Sequence, residues 1–225
     1  MSEFLTLSGW TQPADAVARA LLPQAATFDY SAYATVDAAI EALGAQYAHI
    51  RHVVAWSMGG QLLMRALAAG ALIPSHVTLI APPFEFVHDA HGMDAFTFSQ
   101  FRQNYATDAA RSKTRFHGLI AKGDVHHKRI VGELAHHHAV EDTSRWLSWL
   151  EDLGRTGLHN FTWTAIPKTQ LIHGVNDVIV PVAQAQLYAS KFPEIQIEIW
   201  EDCGHAPHLH APDKLRARIL EHHSL

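Results

Sequence analysis

The stretch Val53-Val54-Ala55-Trp56-Ser57-Met58-Gly59-Gly60 sets a single hydroxyl between two large side chains, directly after a β-branched pair and before two glycines. The apolar run reads as a buried strand, and Gln61 to Ala69, rich in alanine and leucine, reads as a helix with Gly70 as its stop. Strand, tight turn and helix together present a serine at the carboxyl edge of a sheet, in an A-x-S-x-G version of the G-x-S-x-G pattern. The flanking positions must be small because the turn brings strand and helix backbones close. Ala55 meets that need less freely than glycine, and Gly59 and Gly60 meet it on the other side.

Outward from this turn the chain alternates. Phe4-Leu5-Thr6-Leu7, Ala25-Ala26-Thr27-Phe28, His52-Val53-Val54-Ala55, His76-Val77-Thr78-Leu79-Ile80, Thr169-Gln170-Leu171-Ile172 and the run Ile195 to Trp200 read as strands, with helical stretches over 13–22 and 35–47. Alternation of this kind predicts an α/β fold, a mainly parallel sheet of about six strands covered on both faces. From residue 84 to 165 the strand pattern stops. Phe98, Phe101 and Tyr105, and Trp146, Trp149, Leu150 and Leu153, recur at helical spacing instead. A helical cap over 84–165 is therefore expected, inserted into a core of 1–83 and 166–225 and without a linker that would make it independent.

A serine hydroxyl becomes a nucleophile only beside a base, and the base needs a third group to fix its tautomer. After the strand TQLI comes His173-Gly174-Val175-Asn176-Asp177, and after the last strand comes Asp202-Cys203-Gly204-His205. Asp177 and His205 thus leave the same sheet edge as Ser57, in the chain order Ser, Asp, His of α/β-hydrolases. Either residue alone reads equally well as an ordinary loop residue. Asp202 and Asp213 are alternative acids, although Asp202 sits only three residues before the histidine. The developing oxyanion needs backbone donors, for which Met58, after the serine, and Trp10, in the turn Ser8-Gly9-Trp10-Thr11, are candidates. Trp10 and Trp56 read either as pocket walls or as core aromatics.

Composition excludes other classes. The 225 residues are 48% hydrophobic and 17% charged, enough for one domain with a buried core. The net charge of −5 argues against nucleic acid as a general partner. Cys203 has no second cysteine to pair with, the N-terminus lacks the pattern of a signal peptide, and no apolar run reaches the roughly 18 residues of a membrane span, so a cytoplasmic protein is expected. The 18 histidines include neither HExxH nor a zinc-spaced Cys/His set. Most are expected as solvated surface imidazoles, with no metal site.

GW near the N-terminus, WSMGG, GVNDVIVP and GHAPHLHAPDKL together resemble the pimeloyl-[acyl-carrier protein] methyl ester carboxylesterases of biotin synthesis, the BioH type. The runs GWTQPADAVARALLP and IRHVVAWSMG also resemble the shortened BioG-type esterases that perform the same step. The resemblance implies the α/β-hydrolase fold, a triad at Ser57, Asp177 and His205, oxyanion donors at Trp10 and Met58, and no metal or organic cofactor. It further implies an acyl carrier protein as the partner that bears the ester; a monomer is expected. Ser8 stands where relatives carry histidine and Thr11 where many carry glycine, and the two first strands of the full fold are expected to be absent. A broader small-ester hydrolase or thioesterase and a non-catalytic ligand sensor are the competing readings.

Residues 102–129 hold seven basic side chains, Arg102, Arg111, Lys113, Arg115, Lys122, Lys128 and Arg129, against Asp108 and Asp124. Arg111 and Arg115 share a helix face, with Phe116 next in sequence as a candidate lid residue over the active site. By residues alone this is either a solvated surface or a docking face. The resemblance places carrier-protein contacts at Arg111, Arg115 and Lys128.

Overall fold

Six strands lie side by side in one fully parallel sheet: β1 (Phe4–Leu7), β2 (Ala26–Thr27), β3 (His52–Trp56), β4 (His76–Ile80), β5 (Lys168–Gly174) and β6 (Gln196–Trp200), in spatial order β2-β1-β3-β4-β5-β6. The structure, a computed structural model, describes residues 3–136, 142–163 and 165–224. Ten α-helices are assigned among these residues: α1 (Ala16–Leu21), α2 (Val36–Tyr47), α3 (Met58–Ala68), α4 (Ala95–Thr107), α5 (Ala109–Ile120), α6 (His127–His136), α7 (Thr143–Arg155), α8 (Ala183–Lys191), α9 (Pro207–His210) and α10 (Pro212–His223). None is long and apolar enough to cross a membrane.

The central strands are apolar on both faces because helices cover both. α1 packs with α9 and α10, while α3 packs with α2 against β1 and β3. Val53, Val54 and Ala55 are completely buried, as expected for an interior parallel strand. The strand order reverses between β1 and β3, since β1 connects outward to β2 before the chain returns to β3. Such a reversal opens a crevice beyond the carboxyl ends of two neighbouring strands, where ligands of α/β sheets bind. The turns after β1 and β3 flank it.

Helix boundaries follow local chemistry. Thr35, Asp94, Asp108 and Asp142 cap α2, α4, α5 and α7, each side chain accepting a backbone N–H of the first turn. Gly70 ends α3 at φ +68°, with Gly70 N–H donating to Leu67 O and Ala71 N–H to Ala66 O, the double bond of a Schellman stop.

Several expectations shift by a few residues. The helix expected over 13–22 begins at Ala16, because residues 9–12 are spent in a turn and Ala16 N–H bonds to Pro13 O. β2 is two residues long because it is an edge strand that pairs only with β1. β5 extends to Gly174, pairing with β6 as far as Trp200. The expectation for histidine is met only in part, since five of the sixteen described histidines are exposed and four half-buried. Seven of the described histidines, His52, His117, His173, His205, His208, His222 and His223, are buried. Their rings pack inside at helix and strand ends, which a count of histidines does not reveal.

Candidate active site

β3 ends at Trp56 and α3 begins at Met58, so Ser57 carries the whole change of direction at φ 55°, ψ −124°. That is the left-handed side of backbone space, costly for a residue with a Cβ and held only where the surroundings fix it. Here they do. Ser57 N–H bonds to Ile80 O at 2.9 Å, and Ser57 O accepts from Gly60 N–H at 2.8 Å. A Cβ on Gly59 would stand 2.5 Å from Ser8 O, and one on Gly60 2.9 Å from Pro82 Cβ. The two glycines are therefore required by the close approach of the chain leaving β1 and β4.

The loops after β5 and β6 bring the other two side chains to this serine. His205 Nε2 lies 2.9 Å from Ser57 Oγ, and His205 Nδ1 lies 2.6 Å from Asp177 Oδ2. A carboxylate can only accept, so Nδ1 bears the proton and the Nε2 lone pair faces the hydroxyl. Asp177 Oδ1 accepts from Ile179 and Val180 N–H, both at 2.9 Å. Burial alone would raise the Asp177 pKa, but His205 and His173 beside it outweigh burial and hold the carboxyl well below its ordinary range. The alternative acids are elsewhere: Asp202 is exposed in the turn after β6, and Asp213 is exposed in the first turn of α10.

Three supporting contacts escaped the sequence reading. His173 is fully buried with Nε2 donating to Val180 O at 2.8 Å and lying 3.4 Å from Asp177 Oδ2, a second imidazole on the same carboxylate. Its only sequence signal is its place four residues before Asp177. Gly174 has no room for a Cβ, which would lie 2.2 Å from Gly204 O, so the β5 and β6 loops touch backbone to backbone. Asp124, counted in the sequence only as an acid among basic residues, has a fully buried carboxylate that clamps the histidine loop. It accepts from Gly204 N–H at 3.1 Å, His126 N–H at 2.7 Å and His210 Nδ1 at 2.9 Å. His205 N–H itself bonds to Ile120 O, at the end of α5.

Trp56 is buried and lies under this loop, its Nε1 donating to His205 O at 2.9 Å and its ring 4.3 Å from that of His208. Burial, with His205 nearby, pushes the His208 pKa down to about 3. His208 therefore adds no second positive charge when His205 takes up a proton. Beyond Trp56 a cavity of ≈ 290 Å³ is lined by Gln12, Leu134, His208 and Leu209 among others. A hollow of ≈ 450 Å³ over β5 and β6, lined by Gln170, Glu198 and Arg218, lies away from Ser57.

The turn after β1 holds Trp10. Gln12 N–H bonds to Gly9 O at 3.2 Å, and Thr11 sits at φ 57°, the conformation that a glycine supplies without strain. Thr11 Oγ1 donates to Trp10 O, and Ser8 accepts Tyr30 OH on its carbonyl at 2.8 Å, so the turn is tied down on both sides. Neither Trp10 N–H nor Met58 N–H has a hydrogen-bond partner among the described residues. The Trp10 indole points away into the helices between β4 and β5: Nε1 donates to Trp146 O at 2.9 Å, and the ring meets Phe101, Tyr105 and Phe116. Phe116 is buried against it and so belongs to this aromatic cluster. Arg111, Arg115 and Lys128 are exposed on α5 and α6, with no ion-pair partner among the described residues. Lys113 is buried, and Arg102 and Arg129 pair with Glu151 and Glu133, which reduces the free basic face to part of the sequence count.

Residues 7–218 match the family described as "Alpha/beta hydrolase family". The chain is 27% identical over 174 residues to the pimeloyl-[acyl-carrier protein] methyl ester esterase of Aromatoleum aromaticum, across 72% of this chain and 69% of that protein. It is 30% identical over 169 residues to the protein of the same name from Nitrosomonas europaea, across 72% of this chain and 67% of that one. In structure it is similar to an esterase from Exiguobacterium antarcticum, with a TM-score of 0.75 at 15% identity over 99% of this chain and 91% of that chain.

Proposed function

The chain belongs to the alpha/beta hydrolase family, and from that premise we propose that it is a serine carboxylesterase that hydrolyses the methyl ester of a pimeloyl group borne on an acyl carrier protein. The observation that carries the reading is the continuous contact from Ser57 Oγ through His205 to Asp177, 2.9 Å and 2.6 Å, at the carboxyl edge of the sheet. Ser57 attacks the ester carbonyl as His205 Nε2 accepts its proton. The N–H groups of Trp10 and Met58 receive the oxyanion, His205 returns the proton to departing methanol, and water activated by the same imidazole releases the carboxylate. Asp177 keeps His205 in the required tautomer and supports its charge.

The substrate comes from the named relatives and the motifs they share with this chain. In this reading residues 84–165 act as a cap over a core of 1–83 and 166–225, and the exposed cations Arg111, Arg115 and Lys128 face the acidic carrier protein. The reading includes a monomeric enzyme acting in the cytoplasm. Exposed charges mainly speed encounter and are weakened by salt. Arg111→Glu with Arg115→Glu should therefore lower kcat/KM for the carrier-bound methyl ester at least about tenfold, while a small free ester is turned over as before. Equal turnover of both substrates by the unaltered protein would favour a broad small-ester hydrolase, and loss of both in the variant would mean a misfolded cap.

A further inference from the structure

Between β4 and α4 the chain from Phe84 to Met93 has no regular structure, yet its backbone is fixed by one amide. Gln184 on α8 is 1% exposed. Its Oε1 accepts from Phe84 N–H at 2.7 Å and Glu85 N–H at 2.9 Å, and its Nε2 donates to Glu85 O at 2.9 Å and His91 O at 2.6 Å. The loop also closes on itself, with Met93 N–H on Phe86 O, His88 N–H on Met93 O and Gly92 N–H on His88 O. A Cβ on Gly92 would stand 2.7 Å from Phe86 O. Main-chain bonds thus hold this loop, leaving the side chains of Glu85, His88 and His91 free of that task.

Those side chains converge. Spaced three apart as Glu85-Phe86-Val87-His88-Asp89-Ala90-His91, each offers a ligand atom, and the three atoms lie within 4.8 Å of one another. His91 Nε2 is 3.1 Å from Glu85 Oε2. His88 and His91 stack with ring centroids 3.5 Å apart. Ala90 N–H donates to His88 Nδ1, leaving Nε2 as that ring's ligating atom. On the other oxygen of Glu85, His159 Nδ1 stands 4.0 Å away, held near by the β-bridge between Glu85 and Gly157. Three imidazoles therefore surround one carboxylate, all partly open to solvent.

We propose that Glu85, His88 and His91, with His159 as a fourth donor, bind one divalent transition-metal ion of the Zn2+, Co2+ or Ni2+ kind. Nitrogen donors around a single carboxylate suit such borderline ions, whereas Ca2+ and Mg2+ need sets of oxygens. The stacked rings must splay for their lone pairs to meet, a rotation about the soft terminal torsion of histidine. The ion would sit where the chain leaves β4 for α4 to α7 and where it returns after α7, tying the outgoing segment to the returning one. The proposal is independent of the ester chemistry.

The test is calorimetric titration of chelator-treated full chain with Zn2+ near neutral pH, followed by the visible spectrum with Co2+. One ion should bind and raise the melting temperature. H88Q/H91Q and Glu85→Gln should each weaken Zn2+ at least about tenfold and remove the melting shift, with circular dichroism and small-ester turnover unchanged because Gln184 grips only backbone. His159→Gln should weaken binding as well. Replacement of the histidine run 136–138 by glutamine is the control for an adventitious ion only. The proposal is overturned if that control loses the ion while H88Q/H91Q keeps it, if no saturable binding occurs, or if His159→Gln binds Zn2+ as tightly as the unaltered chain.

Discussion

At the carboxyl edge of the sheet His205 stands between a hydroxyl and a carboxylate, whereas at the amino edge His52, His76, His222 and His223 stand against one another. There Gln170 donates to Thr78 Oγ1 at 2.9 Å, and the Thr78 hydroxyl meets His223 Nε2 at 2.9 Å. His223 Nδ1 in turn meets His52 Nδ1 at 2.9 Å. With the Thr78 proton directed at His223 Nε2, the His223 Nδ1 proton goes to His52. Both rings are then neutral. Burial above all, with the neighbouring imidazoles and Lys168, pushes His223 down to about 3, and His52, His76 and His222 are lowered in the same direction. Glu3 opposes this only at His52. One residue type thus serves opposite ends of one sheet in opposite ways. A carboxylate partner orients one imidazole toward a hydroxyl, whereas burial, seconded by neighbouring imidazoles, keeps the others neutral.

Removal of the hydroxyl should give the largest effect at the carboxyl edge. Ser57→Ala is expected to lower ester turnover by about 10⁶-fold without loss of fold, as read by initial rates and circular dichroism. A fluorophosphonate probe should label the unaltered protein at Ser57 and leave the variant unlabelled. Turnover near that of the parent would end the assignment of this edge as the reactive one.

Asp177→Asn keeps the size of the side chain and removes its charge, and kcat should fall by about 10⁴-fold. Asp202→Asn should have almost no effect; the reverse pattern would transfer the orienting role to Asp202. The carboxyl of Asp177 is held below its ordinary value of 3.8. Its contribution to stability is therefore complete above that pH and is lost as pH falls further.

The amino edge predicts a smaller effect with the other sign of partner. An unfolded histidine takes up a proton near pH 6.5 and folded His223 only near 3, so between those values the unfolded chain binds more protons. Stability should fall with pH across that window by about 1.4 kcal/mol per pH unit for this ring, and should be insensitive to it above 6.5. His223→Gln should flatten the decline in urea midpoint between neutral pH and pH 5, roughly 2 kcal/mol, and leave turnover at neutral pH intact. An equally steep decline in the variant would show that the imidazole cluster does not set acid sensitivity.

The sheet was legible because its evidence is local. Apolar runs of strand length, ended by turn residues and separated by helical spacing, predict β1, β3 and β4 to within a residue. α1 was less so, since the turn at 9–12 and the bond from Ala16 N–H to Pro13 O delay its start by three residues. Ser57, Asp177 and His205 were readable as a set because each follows its own strand, and a parallel sheet sends every strand end to the same edge.

By itself, then, the sequence determined the class of fold, the three chemical groups at the sheet edge and the order in which the chain supplies them. Only the tertiary structure decided that His173 shares Asp177, that Asp124 clamps the histidine loop, that Trp10 turns its indole into the helices, and that seven histidines are buried. The physical reason is range. Strand, turn and cap preferences act between residues a few positions apart, while burial and hydrogen bonding of a side chain depend on neighbours as far as 80 positions away, as Gly204 is from Asp124.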